Sequence, residues 1–182
     1  MAETREQVID RYFETNYQQF GTYYPRVGAV IVEKAEKYDL GVRTVAAFVE
    51  KESGGRRIFG CDAGSIFCNQ FVTREALDKL IRWVGNGGAS NGVAWMQLTY
   101  FPLIRRAEQR GGANNAGPNI DVGCEELKRL FLIYDDGSRL GWLRAAASYN
   151  GGQGNFTEVT MRYARDVEAK ALGWGRRLAA LT

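Results

Sequence analysis

Residues 45–49, Val-Ala-Ala-Phe-Val, are apolar without a break, and Glu50-Lys51-Glu52-Ser53 and then Gly54-Gly55 follow directly. A segment of this kind reads as a short helix buried on all sides. The glycine pair supplies its stop. Glu52 then falls in the last turn of a core helix. The carbonyl end of the helix dipole and partial burial both disfavour its anion there. A carboxyl group so placed keeps its proton near neutral pH and suits general-acid work. The competing reading makes Glu52 a solvated charge beside Glu50 and Lys51.

The chain has 182 residues, which is the size of one domain. Its 45% apolar content is ample for a core. No stretch approaches the roughly 20 apolar residues of a membrane span. The polar opening carries no apolar leader, so the expectation is a protein that either acts in the cytoplasm where it is made or is taken out by something other than its own signal. There is no histidine. That excludes Ser-His-Asp and Cys-His nucleophile systems and a His-ligated zinc hydrolase. Carboxylates, hydroxyls, thiols, Lys or Arg must carry any chemistry. No cofactor and no metal site is expected. Of three cysteines, Cys61 and Cys68 close a short loop and can pair in an oxidising compartment, with reduced thiols as the alternative. The net charge of +3 is mild, and no nucleic-acid motif is present. From Arg139 onward, seven Arg or Lys stand against three Asp or Glu, a bias that favours an anionic polymer or is simply a solvated helix face.

Most segments carry helical periodicity, which predicts an all-α cluster of seven to nine helices. Helices are expected over 3–20; from Pro25 through Tyr38; over 44–52; from an N-cap at Thr73; over 121–134; over 138–149; and over 157–172. At most a small hairpin is expected between Ile58 and Phe71. Residues 85–92 form a glycine-rich loop. The domain reading is one unit, with N-terminal helices to residue 41, a motif-bearing core over 42–156 and a C-terminal helix.

Three segments stand in order: Glu52-Ser53-Gly54; Gly92-Val-Ala-Trp-Met96-Gln97-Leu98-Thr99; and Ala145-Ala-Ala-Ser-Tyr149-Asn150-Gly151-Gly152. Together with Asn119-Ile120, they resemble the soluble lytic transglycosylase domain, a relative of goose-type lysozyme. The resemblance implies a lysozyme-like helical fold and an enzyme acting on peptidoglycan glycan strands. It implies that Glu52 is the acid and then the base, and that Tyr149 sits near it. Met96 and Gln97 would line sugar subsites, with Ser53 and Asn150 at substrate; the competing readings are core packing for Met96 and backbone hydrogen bonding for Ser53, Gln97 and Asn150. Two departures stand out. Residues 58–86 look like an insertion, and Ala94 replaces a glycine of the family pattern. The insertion leaves Ser65 and Ser90 as candidates for the family's second serine, and Ser90, nearer Met96-Gln97, is preferred. Trp95, Tyr100 and Phe101 are candidates for stacking on sugars, with core packing as the default.

Glycosidic cleavage usually shares its work between two carboxylates. The resembling family uses one, with the sugar's own 6-hydroxyl closing an anhydro ring. Asp62, Asp78 and Asp121 stay open as second carboxylates. The leading expectation is a lytic transglycosylase in phage-mediated lysis, as an endolysin first or borne on a virion, with a cleaved secreted bacterial enzyme as the third owner. The alternatives are a goose-type muramidase and a non-catalytic glycan-binding module. No membrane insertion is expected, and the oligomeric state is not legible.

Overall fold

The computed structural model describes residues 3–17 and 27–181. Among these residues it contains eight α-helices and no strand. They are α1 (Arg5–Tyr17), α2 (Val27–Lys37), α3 (Val42–Ser53), α4 (Arg74–Gly85), α5 (Phe101–Gln109), α6 (Ala116–Tyr134), α7 (Arg139–Gly151) and α8 (Glu158–Ala179). The expectation for Pro25 and for residues 18–20 lies outside the described residues. The small hairpin is reduced to isolated bridges, Ile58 with Phe71 and Phe59 with Val93. No helix among the described residues is long and apolar enough to cross a membrane.

α3 runs through the middle. Val45, Ala46, Ala47, Phe48 and Val49 are each fully buried, because α2 and α8 pack along α3 from different sides. Gly54 ends the helix at φ 63°, and its N–H returns to the Glu50 carbonyl at 3.0 Å. Glycine is required at this end. A Cβ on Gly54 would stand 2.6 Å from the Tyr17 ring, and one on Gly55 2.7 Å from Phe13. The helix stop is thus also the place where α1 closes over α3.

The expected cap at Thr73 forms, and the starts expected at 138 and 157 are capped as well. Thr73 accepts from the Ala76 N–H, Ser138 from the Gly141 N–H, and Thr157 from the Thr160 N–H. α6 begins five residues before its expected start. Pro118 stands in its first turn, where the missing N–H removes no helical bond. α8 passes Gly173 and Gly175 to reach Ala179, since Trp174 between them is fully buried and packing outweighs the propensity cost. α5 matches no segment expected from the sequence.

Candidate active site

The motif segments converge on one tight turn. In residues 93–98 the Val93 and Leu98 backbones bond each other at 3.2 Å in both directions. Ala94 and Gln97 take positive φ of 56° and 45°. This explains why the family pattern has glycine at the Ala94 position: a Cβ is tolerated in the left-handed region only with strain. Three side chains clamp the turn with four hydrogen bonds. The Ser53 hydroxyl donates to the Trp95 carbonyl at 3.0 Å. The Tyr149 hydroxyl donates to the Met96 carbonyl at 2.8 Å. The Asn119 side chain accepts from the Met96 N–H at 2.9 Å and donates to the Val93 carbonyl at 3.0 Å. Much of what the motifs encode is therefore the anchorage of one wall to α3, α6 and α7.

That anchorage corrects two expectations. Ser53 is 2% exposed and Met96 is fully buried, and neither lines a cavity. Ser53 spends its hydroxyl on backbone carbonyls, and Met96 packs where a Cβ on Gly123 would be 2.6 Å away. Both belong to the scaffold. Trp95 is likewise fully buried.

Next to the turn lies a cleft of about 950 Å³. Glu52, Tyr149, Asn150, Gln97 and Ser90 all line it, whereas Ser65 does not. Gln97 holds its wall together by donating to the Ile58 and Ala94 carbonyls at 3.0 and 2.7 Å. Tyr100, 68% exposed, and Phe101 stand at the rim. The expected insertion supplies more of the lining, and Ile58 and Phe59 bond directly to the turn. Phe59 stacks on Phe67, and the paired Cys61 and Cys68 staple the loop that carries Asp62. Of the three candidate second carboxylates only Asp62 reaches the cleft. Asp78 is engaged by Arg74 on the surface of α4. Asp121 is held by Lys37 and by Arg110 at 2.7 Å, in a network joining α2, α5 and α6.

The carboxyl of Glu52 is pushed up to about 7, with burial the largest cause. The Asp62 charge adds to the rise, while a hydrogen bond from Tyr163 and the Lys51 charge oppose it. Tyr163, on α8, donates its hydroxyl directly to Glu52 Oε1. The sequence reading did not single out this residue. Its only signal was membership of the buried stripe Tyr163, Ala164, Val167, Ala171, Trp174 on the last helix. Tyr149 also lies near Glu52, and burial and that carboxylate push its phenol well above the ordinary tyrosine range. Among the described residues no group of three or more His, Cys, Asp or Glu is arranged to hold a metal ion.

The all-helical arrangement, with the buried α3 carrying Glu52 into the cleft, has the lysozyme-like fold of a lytic transglycosylase. In agreement, the chain is similar to the crystal structure of an inactive mutant of lytic transglycosylase Slt from Pseudomonas aeruginosa, with a TM-score of 0.56 and 16% identity over 98% of this chain. It spans 31% of the length of that protein. No protein-family profile matches the chain, and no curated protein matches it by sequence.

The pH dependence of the site follows from its contacts. A general acid works while protonated, so turnover should fall as pH rises through about 7, where Glu52 ionises. The Tyr163 hydrogen bond favours the anion. Tyr163→Phe should therefore move the alkaline limb of the pH–rate profile to higher pH. A limb that stays in place would assign that ionisation to another group.

Proposed function

We propose that this chain cleaves peptidoglycan glycan strands between N-acetylmuramic acid and N-acetylglucosamine, as a lytic transglycosylase. One observation carries the reading: a Glu that keeps its proton near neutrality, at the floor of a cleft, with a tyrosine hydroxyl bonded to its carboxyl. Protonated Glu52 gives its proton to the bridging oxygen as the C1–O bond breaks. An oxocarbenium-like centre develops at C1. The carboxylate left behind is supported by the Tyr163 hydroxyl and the Lys51 charge. It then takes the proton of the muramic 6-hydroxyl as O6 closes on C1. That hydroxyl is tethered to the reacting ring, so its effective concentration is high. Glu52 ends protonated and ready for another cycle. The exposed Tyr100 ring at the rim offers an apolar face for a sugar. The likeness to Slt supports the wall substrate, and the Cys61–Cys68 bridge supports a site of action outside reducing compartments.

Asp62 favours a second reading, hydrolysis by a goose-type muramidase mechanism, because it is a second carboxylate in the same cleft. Its Oδ2 accepts from the Gly92 N–H at 3.1 Å, which fixes its direction. Mass spectrometry of digested cell wall separates the two. Transglycosylation leaves 1,6-anhydro-muramic ends, and Asp62→Asn should then cost little turnover. Reducing muramic ends that vanish in Asp62→Asn would make the protein a hydrolase.

A further inference from the structure

A second hollow, of about 700 Å³, adjoins the cleft. Asn150 lines both, and the hollow also includes Tyr163, whose hydroxyl reaches Glu52. The rest of its lining is unlike a sugar site. Lys51 enters from α3, and Arg162 and Arg165 from the first turns of α8, with Asp166 the one carboxylate among them. Lys51 is engaged by Asp166, and Arg165 by Glu158 at 2.7 Å. Arg162 is exposed and makes no hydrogen bond or ion pair among the described residues. Val159, 62% exposed, stands one turn before it. The hollow also lies at the N-terminal end of α8, where the helix dipole adds positive potential.

Resting on the reading of the chain as a muramic-glycan cleaving enzyme, we propose that this hollow seats the acidic stem peptide of the muramic residue being cleaved. Arg162 is the cation that receives a stem carboxylate. In such a glycan the stem hangs from the same sugar whose C1–O bond breaks, so it must leave the strand within one sugar of Glu52. The hollow shares Asn150 with the cleft and Tyr163 with the acid, which places it on that side of Glu52. An unengaged guanidinium presents a planar fork that takes a carboxylate with two parallel hydrogen bonds. Val159 beside it offers apolar contact to the short side chains of a stem. The basic excess beyond Arg139 thus has a local use: its one cation left over in this hollow faces the substrate.

Steady-state cleavage tests the assignment on two substrates, teichoic-free sacculi with stems and the same glycan stripped of stems by an amidase. Arg162→Gln should raise KM about three- to tenfold on stem-bearing glycan, with kcat unchanged, the span expected for one exposed charge-assisted bond. On stripped glycan the variant should match the parent. Arg162→Lys should recover part of the loss. An equal loss on both substrates would move Arg162 to the sugar chain or the scaffold, and no change on either would overturn the stem site while leaving the cleavage reading intact. A parent protein that cleaves neither substrate overturns the cleavage reading itself.

Discussion

Glu52→Gln should lower turnover on purified cell wall by about a hundred- to ten-thousand-fold, the range for removing a positioned general acid. The amide keeps the volume, and its oxygen can still accept from Tyr163, but it has no proton to give to a leaving oxygen. The fold should survive, and the sign of the stability change follows from the same burial. Burial pushes the Glu52 carboxyl from its ordinary 4.5 up to about 7 in the folded protein. Between those values the native state binds more protons than the unfolded chain, so stability falls as pH rises. The amide removes that loss, and at pH 8 Glu52→Gln should melt no lower than the parent. A variant that keeps more than about a tenth of parental turnover would remove Glu52 from the acid role. Undiminished wall binding with lost turnover would also separate an enzyme from a glycan-binding module.

Glu50→Ala should do the opposite, unfolding the protein more readily with a smaller direct effect on chemistry. Glu50 is 7% exposed and fully engaged. Oε1 accepts from the Tyr12 hydroxyl at 3.0 Å and from Lys170 Nζ at 2.9 Å. Oε2 accepts from Trp174 Nε1 at 2.8 Å. One carboxylate therefore ties α3 to α1 and α8 beneath the site. Removing one partner of such a buried ionic cluster leaves the others desolvated and unpaired, a loss of about 3–5 kcal/mol. For a domain of this size, a loss at the lower end corresponds to roughly 6–12 °C in Tm. Urea denaturation gives the free energy directly. A loss below about 1 kcal/mol would make the cluster ordinary surface electrostatics.

These two glutamates mark how far the sequence can be read. Both stand in one helical turn of α3 beside Lys51, and nothing local separates a tied structural anion from a protonated acid. What separates them is the partner brought from far along the chain. Trp174 is 124 residues from Glu50, and Tyr163 is 111 residues from Glu52. The family motifs still selected Glu52, because their order along the chain holds information that the single segment lacks. At Ser53 and Met96 the competing readings hold, since the pattern there comes from clamping a turn inward and not from touching substrate.

The amino-acid sequence by itself determined the all-helical class, the buried run of α3 with its glycine stop, the cap at Thr73, the helix starts at 138 and 157, and Glu52 as the acid candidate. All but the last depend on spacing or backbone chemistry within a few residues, which a linear reading can see, and Glu52 was singled out by the order of the motifs along the chain. Only the tertiary structure decided that Asp62, and not Asp78 or Asp121, shares the cleft. It likewise paired Cys61 with Cys68 and brought Tyr163 onto Glu52. It also set the protonation of Glu52 near neutrality. Burial and charge pairing act through space, and folding sets which distant side chains become neighbours.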